Sequence, residues 1–338
     1  MSSTLRWGVI GTAGIARSQV VPAMQASSNG RVTAVAGRDP KRSAEFARAF
    51  GIKEVFASYE ALLLSPDVDA VYIPLPNSLH AEWAMKAADA GKPVLCEKPL
   101  ALDAAQARRV ADHFAAKSVP LMEGFMYRFH PQNMHALKLV GDGAIGEVRE
   151  VRAHLSVDIM ADAAGNVRFD KTLGGGSLLD MGCYAVSAAR RFLGEPVAAL
   201  ATFDVDAKTG VDVAASAVLE FPGGRSALVS SSFRAGGQGF YQVIGTEGVI
   251  DVPRAFIPGM GSRAAEGLVI VSDPDGHRNE RSFPPANHYR LMAEAFAEAV
   301  LSGKPVPYPP EDAVNNMRAL DAIADSARSG RRVEIRQK

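Results

Sequence analysis

The chain has 338 residues, enough for two hydrophobic cores, since one core seldom grows beyond ~250 residues. Its 47% hydrophobic and 22% charged residues read as globular, and 37 basic residues balance 37 acidic ones without a long basic stripe, so a small-molecule partner is expected and nucleic acid is not. No run of ~18 apolar residues could span a bilayer and MSSTLRWGVIG passes straight into a strand pattern, so we expect a cytoplasmic chain with no membrane partner.

In chain order, short apolar runs alternate with amphipathic helical stretches. LRWGVI precedes a helix from about Gly14; RVTAVAG precedes DPKRSAEFARAFG; DAVYIP precedes SLHAEWAMKAADAG; KPVLCE precedes LDAAQARRVADHFAAK; VPLMEG closes the series. Strands and helices at this spacing predict βαβ units and a doubly wound parallel sheet, a Rossmann-type dinucleotide domain over residues 1–124. From Gly146 the rhythm changes to longer alternating runs, EVREVRAHLSV, VAALATFDV, DVAASAVLEF, RSALVSSSFRA and FYQVIGTEGVIDV, interrupted by one helix near 176–193. Two helices, about 288–301 and 311–328, and a last strand RRVEI close the chain. These predict an α+β domain over 125–338 with a large, mostly antiparallel sheet. Cys96 and Cys183 are too few for a disulfide framework and lack metal-ligand spacing; Cys96 reads as a small buried hydrophobe, and no metal is expected.

GVIGTAGIA places Gly11, Thr12, Ala13, Gly14 and Ile15 where a dinucleotide turn belongs, after the first strand and at the start of the first helix. Gly11 permits the tight turn and Ala16 close helix packing, while Ala13 stands where a second glycine is usual. At the end of the second strand an NAD protein carries an acid for the ribose; here Gly37 takes that place and Arg38 follows, with Lys41 and Arg42 near. A guanidinium suits a 2′-phosphate, so NADP is favoured over NAD, with Asp39 still able to serve an NAD ribose. Leu75, Pro76, Asn77 and His80, in YIPLPNSLH, leave a strand at the carboxyl edge and are cofactor-side candidates, although a lone histidine is more often a helix-start residue. Glu97 and Lys98 in VLCEKPL read either as an exposed ion pair or as a ribose ligand and an ammonium aimed at the nicotinamide. Asp180 and Tyr184, four apart, share a helix face after the glycines 174–176, as an acid–base pair or as a helix-start acid and a core aromatic. Arg128 and His130 are substrate candidates beside Phe125, Tyr127 and Phe129, which core packing explains equally well, and Tyr289, opening a late helix, is a candidate to close the cleft on the cofactor side.

Together, GVIGTAGIA, the EKP triplet at 97–99, EGFMYRFHPQ at 123–132, LGGGSLLDMGCYAVSAAR at 173–190 and VIGTEGVI at 243–250 resemble the glucose–fructose oxidoreductase and inositol dehydrogenase family over nearly the whole chain. FMYRFHPQ, the AGR ending and Tyr184 look most like its NADP-dependent branch of D-xylose dehydrogenases, dihydrodiol dehydrogenase and aldose–aldose oxidoreductases. The resemblance implies Lys98 as catalytic lysine, Glu97 as ribose ligand, Arg168 as an arginine reaching the cofactor, and homo-oligomers through the open sheet. Val167 replaces a tryptophan often found before that arginine, and Tyr184 a frequent histidine. A tyrosine beside an ammonium can still carry a proton, because the positive charge favours phenolate. The expected activity is NADP-dependent hydride transfer at C1 of a cyclic aldose or, in reverse, carbonyl reduction. A self-recycling aldose–aldose oxidoreductase, a dihydrodiol dehydrogenase, a dinucleotide sensor and an NAD-retaining glycosidase are the alternatives.

Overall fold

The computed structural model describes residues 4–258 and 266–336. The chain divides into two compact units, Met1–Met126 with Asn287–Val314, and Tyr127–Ala286 with Asn315–Lys338. The second domain expected over 125–338 is therefore interrupted, because Asn287–Val314 clusters with the first unit.

The first unit is built on strands β1 (Leu5–Ile10), β2 (Gly30–Ala36), β3 (Glu54–Phe56), β4 (Ala70–Ile73), β5 (Val94–Cys96) and β6 (Leu121–Glu123). They form one parallel sheet in the order β3-β2-β1-β4-β5-β6. The order reverses between β1 and β4, and ligands of such sheets bind beyond the carboxyl ends of the strands at that point. Buried on both faces, β4 and β5 have no polar alternation. The connecting helices are α1 (Val21–Gln25), α2 (Pro40–Phe50), α3 (Tyr59–Leu63), α4 (Asn77–Asp89) and α5 (Ala104–Lys117). Asp39 and Asp103 cap α2 and α5, Asp39 accepting from the N–H groups of Lys41 and Arg42, and Asp103 from that of Gln106. A π turn, Ala16–Val20, precedes α1, and Pro22, which lacks an N–H, stands just beyond it.

The second unit begins with α6 (Pro131–Gly141) and β7 (Val148–Ser156). A π turn, Leu178–Gly182, leads into α7 (Cys183–Leu193), followed by β8 (Ala198–Val205), β9 (Asp212–Phe221), β10 (Arg225–Ser232), β11 (Gln238–Gly245), β12 (Val249–Val252), β13 (Gly267–Ser272) and β14 (Arg278–Phe283). Helix α8 (His288–Ser302) belongs to the first unit, and α9 (Pro310–Ser329) and β15 (Val333–Glu334) end the chain. The nine-stranded sheet runs β14-β13-β12-β11-β7-β10-β9-β8-β15, with β10 parallel to β7 and the other pairings antiparallel. One face buries Val151, Ala153, Ala217, Leu219, Ala227 and Val229, with α7 packed on β7 and β10. On the other face Leu200, Val218 and Leu228 lie side by side in register, each partly exposed. Among the described residues, no helix is long and apolar enough to cross a membrane.

Candidate active site

In the first unit the glycine turn follows β1 at the point where the strand order reverses. Gly11 has φ +109°, donates its N–H to the Ala36 carbonyl at 2.7 Å, and comes so near the loop after β4 that a Cβ on it would stand 3.0 Å from Leu75 Cδ2. Thr12, Ala13 and Ile15 are half-buried and Gly14 is exposed. A Cβ at Gly14 would meet no atom within 4 Å, so the turn opens on unfilled space at the start of a helix, an arrangement that fits a pyrophosphate. Gly37 is a different case: a Cβ there would lie 2.4 Å from Ser43 Oγ, so an acid at the ribose position would first have to displace the Ser43 hydroxyl. The Asp39 carboxylate, the remaining candidate for an NAD ribose, is the α2 cap. Arg38, Lys41 and Arg42 are exposed around it and leave the edge cationic.

The VLCEKPL segment is pinned along its length. The Glu97 N–H donates to the Ile73 carbonyl at 3.1 Å, and Gly124 donates to the Cys96 carbonyl at 2.7 Å. The Pro99 carbonyl contacts His80 Nδ1 at 2.7 Å, and the Leu100 N–H donates to Glu123 Oε1 at 2.7 Å. The Lys98–Pro99 peptide is cis, and Lys98 is half-buried. Glu97 is buried and accepts the Tyr72 hydroxyl at 2.7 Å. Burial, and then Glu97, raise the Tyr289 phenol well above its usual pKa, as they do that of Tyr72, so both phenols stay protonated beside the carboxylate. Cys96 is fully buried, and its thiol is pushed up first by burial and then by Glu97 and Glu123.

His80 departs from the expectation of a cofactor contact. It is fully buried, with Nδ1 on Pro99 O and Nε2 on Leu75 O, both at 2.7 Å, so its ring ties the β4 and β5 loops together rather than facing a ligand. Burial lowers its pKa, outweighing the two carbonyls that favour the cation. Tyr289 is buried within the first unit.

In the second unit, Arg168 Nε donates to Asp180 Oδ2 at 2.7 Å. The loop between them is closed by its own backbone: Gly175 and Gly176 donate to the Asp170 and Arg168 carbonyls, both at 2.9 Å. A Cβ on Gly175 would stand 2.5 Å from Arg168 O, and one on Gly176, where φ is +117°, would stand 2.1 Å from Asp212 Oδ1. Asp180 lies in the π turn and Tyr184 in α7, so the pair straddles the junction of the two helical forms rather than lying on one regular helix. Tyr184 is 5% exposed, its ring 5.9 Å from that of Tyr127 and 5.7 Å from that of Phe256.

Arg128 and His130, the candidates for the substrate wall, are both buried. Arg128 donates through Nε and Nη2 to Ser187 Oγ, and His130 caps α6 by accepting from the Gln132 N–H, burial holding its pKa down at about 4. Phe125 and Tyr127 are core residues. Two residues were missed from sequence. Tyr72 carried one signal, a phenol in a fully buried strand, which must find a partner. Asp212 carried another, an acid at the head of an alternating apolar strand; its Oδ2 accepts Ser177 Oγ at 2.9 Å and the Leu178 N–H at 2.7 Å.

Residues 5–125 match the model of an oxidoreductase family with an NAD-binding Rossmann fold, and residues 134–251 match a Gfo/Idh/MocA C-terminal domain. The chain is 43% identical to a D-xylose 1-dehydrogenase (NADP⁺) of Haloferax volcanii, over 98% of this chain and 100% of that one. Its fold is similar to that of a 3-ketoreductase from Actinomadura kijaniata solved with NADP and TDP-benzene, with TM-score 0.88 and 34% identity over 96% of this chain and 98% of that one. It is also similar to an aldose–aldose oxidoreductase from Caulobacter crescentus solved with glycerol, with TM-score 0.89 and 29% identity over 98% of this chain and 99% of that one.

Proposed function

Since the chain belongs to the Gfo/Idh/MocA family of oxidoreductases, we propose that it is an NADP-dependent dehydrogenase acting at C1 of a cyclic aldose. The observation that carries the reading is the pinned Glu97–Leu100 segment at the carboxyl edge of the parallel sheet, whose backbone fixes the origin of a half-buried lysine beyond the strands. Glycine at position 37, crowded by Ser43, Asp39 used as a cap and three exposed cations support NADP over NAD.

When bound, NADP⁺ accepts the hydride that leaves the sugar carbon. Glu97, fixed by Tyr72, holds a ribose hydroxyl, and the Thr12–Ile15 turn takes the pyrophosphate. Lys98 favours the phenolate of Tyr184, which takes the anomeric hydroxyl proton as the C–H bond breaks, so the aldose leaves as the lactone. Asp180, held by Arg168, orients a sugar hydroxyl. The second unit serves as substrate domain, and its open sheet face, with the Leu200–Val218–Leu228 row, pairs with a second copy of the chain in a cytoplasmic homo-oligomer.

The test is a screen of pentoses, hexoses and vicinal diols with NADP⁺ and NAD⁺, reading NADPH or NADH absorbance. Turnover of an aldose with NADP⁺ preferred is expected; no turnover of any sugar or diol would overturn the reading. The likeness to the A. kijaniata enzyme favours a second reading, reduction of a keto group on a nucleotide-linked sugar, which predicts NADPH consumption with such a ketone and none with free aldoses. Cofactor that survives dialysis and cycles between two aldoses without net NADPH would favour the aldose–aldose mode.

A further inference from the structure

Asp212, the first residue of β9, lies beneath the glycine loop and the π turn. Its Oδ2 takes both the Ser177 hydroxyl and the Leu178 N–H, the first donors of the helical segment. Its Oδ1 lies where a Cβ of Gly176 would be, so the third glycine of the run and this carboxylate are matched shapes. From the neighbouring strand β10, Ser231 Oγ bonds Ser177 Oγ at 3.1 Å and lies 3.2 Å from where a Gly182 Cβ would stand. Strands β9 and β10 thus support the π turn at both ends: Asp212 at its entry and Ser231 beneath its exit.

The residue type needs a reason, because serine or asparagine caps a helix as well as aspartate does. Burial is the largest influence on Asp212 and opposes its charge, while every stabilising influence on it is a hydrogen bond from Ser177, Leu178 or its own N–H. The hydrogen bonds that satisfy this buried acid come from the first donors of the helical segment, so they tie the entry of the turn to β9.

We propose that Asp212 is a positioning residue for the reaction, setting through Ser177 and Leu178 the placement of the turn that carries Asp180 and leads into Tyr184. The proposal rests on the reading in which Asp180 and Tyr184 act on the sugar.

The test compares Asp212→Ala, Asp212→Asn and Ser231→Ala by amide hydrogen exchange over residues 176–184 and by steady-state kinetics on an aldose turned over by the wild type. In Asp212→Ala, exchange across this segment is expected to rise at least about tenfold and kcat to fall roughly ten- to hundredfold, with KM for NADP⁺ within about threefold. Asn keeps an acceptor at the Oδ2 position, so Asp212→Asn should recover most of the protection and of kcat. Ser231→Ala should move both in the same direction by less, and decides the matter if Asp212→Ala does not fold. Wild-type exchange and kcat in Asp212→Ala, or an Asn variant as impaired as the alanine one, would overturn the proposal. If the wild type turns over no aldose, the exchange result still decides the placement role, while the aldose reading alone falls.

Discussion

The two glycine loops solve opposite problems. In the turn after β1, Gly14 faces space that a Cβ would leave unobstructed, whereas in the loop before the second π turn Gly175 and Gly176 are crowded by the protein's own Arg168 carbonyl and Asp212 carboxylate. The first loop is shaped to receive something, and the second is shaped to be held. Each feeds a π turn, Ala16–Val20 and Leu178–Gly182, so a widened helical start is common to both while the reason for glycine is not.

That contrast can be broken by substitution. The largest effect is expected from Gly176→Ala, which combines a positive φ with an overlap against a buried carboxylate. A loss of about 3 kcal/mol or more in urea unfolding is predicted, and a wild-type midpoint would contradict the close approach. Asp212→Asn acts in the reverse direction on stability. Burial raises the folded pKa of Asp212 from 3.8 to about 6, so the ionised carboxylate opposes folding fully above that pKa, and the opposition fades as pH falls through it toward 3.8. The asparagine variant should therefore gain about 1 kcal/mol more over wild type at pH 8 than at pH 5, measured by denaturant melts at both. An equal gain at the two values would mean that Asp212 does not titrate in this range.

Gly11→Ala carries a positive φ but meets only the end of the flexible Leu75 side chain, so a smaller loss of about 1–2 kcal/mol is expected, with weaker NADPH binding by fluorescence titration. Gly14→Ala should be the mildest for folding, within about 0.5 kcal/mol, because its Cβ enters open space. Any penalty should appear in NADPH affinity, and unchanged affinity would mean that no ligand approaches that backbone.

How far these loops could be read from sequence follows the same division. Strands β4 and β5 were legible because burial on both faces leaves uninterrupted apolar runs, and α2 and α5 because Asp39 and Asp103 announce their starts. Strand β3 and helix α3 escaped notice because they are three and five residues long, and β14 because RNERSF is polar and nearly all exposed. The run FYQVIGTEGVIDV is two strands, β11 and β12, joined by a turn at residues 246–248. In the candidate site, the glycines were legible because backbone demands, a positive φ at Gly11 and Gly176 and close approach at Gly175, are written in residue type. Which polar side chains turn inward was not written there. His80 resembles a ligand-facing residue in a one-dimensional reading, yet two backbone carbonyls absorb both of its ring nitrogens. Tyr72 and Asp212 act on loops 25 and 34 or more positions away, so only the packed sheets reveal them.

The central claim is that the pinned segment after β5 presents Lys98 to the reacting oxygen. It is tested most directly by comparing wild type and Lys98→Met in NADPH binding by fluorescence and in aldose oxidation at saturating NADP⁺. The account predicts binding within about threefold and turnover reduced by roughly 10²- to 10⁴-fold, the range for disabling the acid–base group that Lys98 assists. Turnover retained in Lys98→Met, with binding intact, would contradict it.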